Sequence, residues 1–102
     1  MPYAEPLTDA ELAEALARLP DWERDGGAIR RTVELAGFRA AIDFVNAVAD
    51  AAEQANHHPD ISIHRYRRVT FMLTTHAAGG AITLRDIELA ARIDELGSES
   101  GE

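Results

Sequence analysis

The chain has 102 residues, of which 46% are hydrophobic, so it is long enough for one domain with a single core but too short for two. Ten basic against 18 acidic residues give a net charge of -8, which disfavours binding to nucleic acid or an anionic membrane, because both affinities depend on opposite charge. The sequence contains no cysteine and no run approaching about 20 apolar residues, which excludes disulfides, thiolate chemistry and a membrane-spanning helix and leads us to expect a cytoplasmic protein.

The first predicted helix follows an N-terminal arm, residues 1–7. Thr8 and Glu11 have the spacing of a capping box, in which each side chain bonds the backbone amide of the other residue. Pro20 ends the helix, because its ring cannot be accommodated inside one. The predicted apolar stripe consists of Leu12, Ala15, Leu16 and Leu19.

Two short extended segments come next, at residues 22–25 and 28–33. Between them stands Gly26-Gly27, a pair that can adopt the positive φ angles of a tight hairpin turn. The sequence therefore predicts an antiparallel pair of strands.

The longest predicted helix starts at Phe38, where apolar residues begin to recur at steps of three and four. It cannot pass Pro59, because proline disfavours the helical conformation in the preceding residue, His58. His57 is thus expected at or just beyond the last turn. The predicted apolar face consists of Phe38, Ala41, Ile42, Val45, Val48, Ala49 and Ala52.

Two further strands are predicted at residues 61–64 and 69–75, where β-branched and aromatic residues alternate with polar ones. Gly79-Gly80 forms a loop, and Thr83 and Asp86 have the spacing of a second capping box. The final helix is expected to run to about Leu96, with a frayed acidic tail at 97–102. Its apolar residues are Leu84, Ile87, Ala90, Ala91 and Ile93.

This order of elements, helix, strand, strand, helix, strand, strand, helix, predicts the α+β class. We expect residues 1–102 to form one domain, in which three helices cover one face of a four-stranded, mainly antiparallel sheet. Such a sheet has two open edges, so we also expect a homodimer or homotetramer that protects them.

Three of the four histidines belong to one candidate site, together with a carboxylate one helical turn before the first of them. Glu53 and His57 are an i, i+4 pair, so the carboxylate is expected to orient the imidazole. His58 follows directly, and His76 comes after the fourth predicted strand. Imidazole exchanges protons near neutral pH, since its ordinary pKa is about 6.5.

These motifs together resemble the pterin-4a-carbinolamine dehydratase family. The resemblance covers nearly the whole chain, although one extra residue near His64-Arg65, read as a bulge, and another near Ala81 depart from the usual spacing. It rests on the following ordered set: Glu53, His57-His58-Pro59-Asp60, Tyr66 in a strand, Thr74-Thr75-His76, Gly79-Gly80 and Thr83 to Asp86, with aromatic residues at Trp22, Phe38 and Phe44.

The resemblance implies dehydration of a 4a-hydroxytetrahydropterin to quinonoid dihydropterin, with the pterin as substrate and no other cofactor. It implies that His57 and His76 transfer the protons, that Glu53 orients His57 and that Asp86 supports the second histidine loop. An aromatic amino acid hydroxylase in the same pathway is a further implied partner. The residues implied to bind the substrate are His57, His58, Pro59, Thr75, His76 and Ala77.

Two other interpretations remain open at this stage. Glu53, His57, His58 and His76 are all acceptable metal ligands, but adjacent histidines on a turn usually point apart, so we expect no metal. The second is a non-catalytic binding or dimerisation module of the same fold, as relatives in this family also serve as cofactors of a transcription factor. The sequence does not decide which histidine is the acid, which pterin side chain is used, or whether the assembly is a dimer or tetramer.

Overall fold

The computed structural model describes residues 5–99, so parts of both predicted arms, residues 1–4 and 100–102, lie outside the described chain. The element order is the predicted one. No helix among the described residues is long and apolar enough to cross a membrane. The elements are α1 (Asp9–Ala17), β1 (Glu23–Asp25), β2 (Ala28–Glu34), α2 (Phe38–Ala55), β3 (Asp60–His64), β4 (Arg68–Leu73), a short 3-10 helix (His76–Ala78) and α3 (Leu84–Glu99).

The four strands form one antiparallel sheet in the order β1-β2-β4-β3. Alternate residues of the two central strands are buried beneath the helices, which confirms the α+β arrangement with helices on one face. Phe44 of α2 meets Phe71 of β4 edge to face, with ring centroids 5.5 Å apart. The fully buried strand residues are Ile29, Val33, Val69, Phe71 and Leu73.

The opposite face of the sheet is polar, as expected for a surface without a covering layer. Thr32 and Thr70 are directly opposed and share a hydrogen bond of 2.8 Å. Glu23 faces Arg30 in the same way, with a 2.6 Å ion pair. Cross-strand pairs of this kind fix the strand register on the solvent side.

The start of α1 agrees with the prediction, whereas the C-terminal ends of α1 and α3 differ from it. The capping box of Thr8 and Glu11 is confirmed, with both reciprocal hydrogen bonds formed. Helix α1 ends at Ala17 rather than Leu19, because the next amides bond three residues back and tighten the chain into a turn. Helix α3 continues to Glu99, past the predicted end at Leu96.

The buried faces of the two long helices agree only in part with the predicted stripes. The predicted residues that are buried are Ala41, Val48, Ala52, Ala90 and Ile93. In α2, Phe38 is 56% exposed and Ala49 is also exposed, whereas Phe44 and Ala51 are buried. Phe38 is the first helical residue, so its side chain lies beyond the edge of the core. In α3 the core contacts come from Leu89, Ala90, Ile93 and Leu96, while Leu84 and Ala91 are exposed.

Two aromatic residues lie just outside the strands to which the sequence assigned them. Trp22 precedes β1 and is buried. Tyr66 is in the turn between β3 and β4 and is 61% exposed. The register of these two strands is continuous, so the predicted bulge is absent and the turn, residues 65–67, absorbs any extra residue. Both Arg65 and Tyr66 have positive φ there, at 49° and 58°.

Candidate active site

His57 enters the interior of the protein at the end of α2. Asn56 caps the helix in the left-handed conformation, with φ 51°, and this reverses the direction of the chain. The amide of His57 still bonds the carbonyl of Ala52, at 3.1 Å, which completes the helix end. The imidazole is consequently directed inward, and the residue is only 9% exposed.

The partner of His57 is Asp86, in the first turn of α3. The distance from His57 Nε2 to Asp86 Oδ1 is 2.6 Å, and Asp86 is fully buried. The other carboxylate oxygen accepts hydrogen bonds from the Thr75 hydroxyl, at 2.8 Å, and from the Thr83 amide, at 2.9 Å. A buried carboxylate is stable only when its oxygens are bonded in this way. Asp86 therefore joins α2, the end of β4 and α3 at one point.

This network occupies one nitrogen of the His57 imidazole, Nε2. A carboxylate that only accepts hydrogen bonds pairs with the tautomer of His57 that carries its proton on Nε2. A histidine held by a carboxylate in this manner keeps one tautomer and one ring orientation.

His76 lies on a short closed loop that follows β4. The amide of Thr75 bonds the carbonyl of Ala81 at 2.9 Å, and the amide of Gly80 bonds the carbonyl of Thr75 at 3.1 Å. Gly79 and Gly80 supply the positive φ angles, 77° and 78°, that this reversal requires. The side chain of His76 is exposed at the start of the 3-10 helix.

The histidines share one cleft of about 270 Å³, slightly below the range of roughly 300–1,000 Å³ usual for ligand sites. It opens where α2 ends, β4 ends and α3 begins. The residues that line it are Asn56, His57, His58, Thr74, Thr75, His76, Ala77 and Arg85.

The expected pairing of Glu53 with His57 is wrong. The Glu53 carboxylate instead lies 2.6 Å from Nε2 of His58, and both side chains are largely exposed. The reason is the reversal at Asn56, which turns His57 away from the helix face that carries Glu53 and leaves His58 beside it. Asp86, expected only to support the loop of His76, holds His57 as well.

The cleft therefore contains most, but not all, of the residues assigned to it from the sequence. Pro59 does not line it, whereas Asn56, Thr74 and Arg85 do so without having been predicted. A capping-box aspartate is usually exposed, so the Thr83 and Asp86 spacing gave no sign that this one is buried. Arg85 could have been found from its position beside Asp86 at the predicted helix start.

A metal site is not formed by the residues that the structure describes. Among residues 5–99, no group of three or more histidine, aspartate or glutamate side chains is arranged to hold a metal ion. Of the four ligands considered from the sequence, the three histidines line one cleft, but Nε2 of His57 is bonded to Asp86 and Nε2 of His58 to Glu53.

Comparison with known proteins gives consistent results. The model of the family described as pterin 4 alpha carbinolamine dehydratase matches residues 5–96. A protein of Nocardia farcinica is 59% identical over 90 residues, which are 88% of this chain and 93% of that protein. A protein of Thermomicrobium roseum is 55% identical over 92 residues, which are 90% of this chain and 97% of that protein. Both carry the provisional name pterin-4-alpha-carbinolamine dehydratase.

Two solved structures are also similar. The crystal structure of a transcriptional coactivator/pterin dehydratase from Brucella melitensis has a TM-score of 0.83 and 32% identity, covering 90% of this chain and 98% of that one. A pterin dehydratase-like protein, identified as a RuBisCO assembly factor in the alpha-carboxysome, has a TM-score of 0.59 and 19% identity, covering 74% and 86%. The second likeness concerns the fold alone.

Proposed function

Because the chain belongs to the pterin-4a-carbinolamine dehydratase family, we propose that it dehydrates a 4a-hydroxytetrahydropterin to the quinonoid dihydropterin. The observation that carries the proposal is the cleft itself. His57, His58 and His76 come from two separate segments of the chain and line one cleft. Acid–base catalysis by side chains requires such convergence on a bound molecule.

The reaction breaks one carbon–oxygen bond and moves two protons. The hydroxyl group at ring carbon 4a leaves with its bonding electrons and takes up a proton to form water. The lone pair of the adjacent ring nitrogen forms the new carbon–nitrogen double bond, and a proton is lost from the ring system. No electrons are gained or lost overall, so the step needs no oxidant or reductant.

His57 and His76 are the residues that we assign to these two proton transfers. His57 lines the cleft and is held by Asp86, so its ring has a fixed orientation there. His76 belongs to a separate loop, so it can approach the substrate from a different direction. His58, Thr75 and Ala77 would contact the pterin, and Glu53 would restrain His58 rather than His57.

The same proposal has consequences for the cofactor, for the preceding enzyme and for the oligomeric state. No metal or further cofactor takes part, and the pterin enters only as substrate. The enzyme would act after an aromatic amino acid hydroxylase, which produces the hydroxylated pterin. Strands β1 and β3 are the edges of the sheet, so we further propose that a homodimer or homotetramer covers an edge.

The test is turnover of a 4a-hydroxytetrahydropterin by wild type and by His57→Ala and His76→Ala. General acid–base groups contribute about 100- to 10,000-fold, so we expect kcat to fall at least about 100-fold in each variant. Circular dichroism should show an intact fold. His64→Ala is the matched control, since His64 lies in β3 and does not line the cleft. Unchanged turnover in both cleft variants would reject the catalytic assignment.

A binding role is the second candidate, because the Brucella relative is described as a coactivator as well as a dehydratase. If this role replaced catalysis here, wild type would show no turnover.

Elemental analysis of the purified protein addresses the remaining alternative, a metal-dependent reaction. Stoichiometric metal, removed by a chelator together with activity, would contradict a metal-free mechanism.

A further inference from the structure

The hydroxyl group of Thr83 belongs to a buried chain of hydrogen bonds that leads to His57. Its oxygen is 2.8 Å from the hydroxyl oxygen of Thr75, which in turn donates to Asp86 Oδ2 at 2.8 Å. Asp86 Oδ1 contacts His57 Nε2 at 2.6 Å. Thr83 and Asp86 are fully buried and Thr75 is 3% exposed, so bulk water does not compete for these contacts. Thr83 is thus connected to the imidazole through two intervening side chains.

The direction of each hydrogen bond in this chain follows from the carboxylate of Asp86. A carboxylate can only accept, so the single hydroxyl proton of Thr75 is used in its contact with Asp86. The Thr75 oxygen is therefore the acceptor toward Thr83, which donates its own hydroxyl proton. The backbone amide of Arg85 donates to the Thr83 oxygen at 3.2 Å. Each hydroxyl consequently accepts one hydrogen bond and donates one, in a single direction from the start of α3 to the carboxylate.

A helix-capping role accounts for only half of what the Thr83 hydroxyl does. The Arg85 amide is one of the donors left unpaired at the start of α3, so the bond that the Thr83 oxygen accepts is an ordinary cap. The bond that the hydroxyl donates has a different role, because it reaches Thr75 beyond the end of β4. An aspartate would cap the helix equally well but would have no proton for Thr75.

We propose that Thr83 is a positioning residue for His57. The inference rests on the proposed dehydratase function, in which His57 transfers a proton. Because the Thr75 hydroxyl and the Thr83 amide both bond Oδ2 of Asp86, the carboxylate is fixed in one plane with Oδ1 directed at the imidazole. Thr83 does not line the cleft, so its effect on the reaction passes through Thr75 and Asp86.

The test is Thr83→Val, which keeps the branched shape of the side chain and removes the hydroxyl. We expect kcat for a 4a-hydroxytetrahydropterin to fall about fivefold, the effect of one neutral hydrogen bond, with KM unchanged because the cleft keeps its lining. Thr83→Ser retains the hydroxyl and should restore the wild-type kcat. Thr32→Val is the matched control, since it removes a hydroxyl pair of equal length, with Thr70, on the polar face of the sheet, and it should leave kcat unchanged.

Nitrogen NMR of the His57 ring provides a readout that needs no turnover. The chemical shifts of the two ring nitrogens show which of them carries the proton in neutral imidazole. We expect one tautomer in wild type and in Thr83→Ser, with the proton on Nε2, and a mixture of both tautomers in Thr83→Val. A fall in kcat without a change in these shifts, or a loss that serine does not restore, would overturn the inference, because Thr83 would then contribute to stability alone.

The same measurements distinguish the positioning role from the proposed function. Altered His57 shifts in Thr83→Val, together with no turnover by wild type, would retain the positioning role and reject the dehydratase. Turnover by wild type, with kcat and shifts unchanged in Thr83→Val, would do the reverse. If valine prevents folding, wild type alone decides: the buried hydroxyl protons of Thr75 and Thr83 should exchange with water slowly enough to give NMR signals, and their absence would contradict the hydrogen-bond chain.

Discussion

At the scale of single residues, two carboxylate–imidazole contacts have the same distance but contribute differently to stability. His57 with Asp86 and His58 with Glu53 both show 2.6 Å between nitrogen and oxygen. The first pair is buried and the second is exposed to water. Exposed pairs typically contribute about 0–1 kcal/mol, whereas a buried donor or acceptor left without its partner costs about 1–3 kcal/mol.

Replacing Asp86 by alanine should therefore lower the free energy of unfolding by about 3 kcal/mol or more, because three hydrogen bonds to its carboxylate are lost. The loss would leave the Thr83 amide and the Thr75 hydroxyl without their acceptor as well. Urea denaturation followed by tryptophan fluorescence measures the change. Glu53→Gln is the control and should alter stability by less than about 1 kcal/mol.

Asp86→Asn separates positioning from stability, because the amide retains the shape but can present a donor to His57. We expect a lower kcat with a smaller effect on KM, since the ring of His57 would lose its fixed tautomer. If Asp86→Asn kept wild-type kcat while Asp86→Ala unfolded readily, the role of Asp86 would be structural only.

At the scale of elements, the loop that carries His76 is held by its contact with the β1–β2 turn. A Cβ built on Gly27 would come within 2.1 Å of the Gly80 carbonyl oxygen. The Thr74 hydroxyl also bonds the Gly27 carbonyl, at 2.6 Å. The turn thus meets the residues on either side of His76, although it does not line the cleft.

Gly27→Ala should displace this contact, because the opposing atom is backbone and cannot rotate away. Overpacking of this kind typically costs about 1–3 kcal/mol, and we expect reduced turnover as the His76 loop shifts. Thermal unfolding and kcat/KM together measure the effect. At Gly37 an added Cβ meets nothing within 4 Å, so Gly37→Ala should leave turnover as in wild type. Equal behaviour of the two variants would contradict this account.

Most elements could be predicted because their signals are local. The capping residues of α1, the Gly26-Gly27 turn and the stop before Pro59 each depend on a few neighbouring residues. The set of buried residues on the long helices could not be predicted fully from local signals. The exposure of Phe38, for example, depends on where α2 extends past the sheet. The turn at Tyr66 was missed because positive φ in residues other than glycine has no clear sequence signal.

The candidate site was predictable as a set of residues but not as a set of bonds. His57, His58 and His76 do line one cleft, as the resemblance implied. The exchange of partners, with Asp86 on His57 and Glu53 on His58, follows from the left-handed conformation of Asn56. Because the helix ends at that residue, the i, i+4 spacing of a continuous helix does not apply to His57. The pair predicted from this spacing is therefore wrong.

At the scale of the whole molecule, Asp94 connects α3 to the opposite end of the structure. Its Oδ1 accepts hydrogen bonds from the Trp22 indole, at 2.8 Å, and from the Arg31 guanidinium. The Arg31 side chain is only 10% exposed, so its charge depends on nearby acceptors. Helix α3 is therefore fixed by polar contacts near both ends, at Asp86 and at Asp94.

Asp94→Ala should lower the free energy of unfolding by about 2 kcal/mol, the range for hydrogen bonds to charged groups. Trp22 is the single tryptophan, so its emission should differ from that of wild type once the indole has lost its partner. Glu14→Ala, which removes an exposed ion pair with Arg18, is the control and should change stability by less than about 1 kcal/mol. No difference between the variants would refute the role of Asp94.

Under the proposed function, the double use of Asp86 makes catalytic competence a late event in the folding of the chain. The same carboxylate bonds the amide at the start of α3 and holds the imidazole that follows α2, so the imidazole is held only after those two helices have met. A nascent or partly unfolded molecule would have the histidines but no oriented base. Turnover would thus report complete assembly more strictly than helix content does.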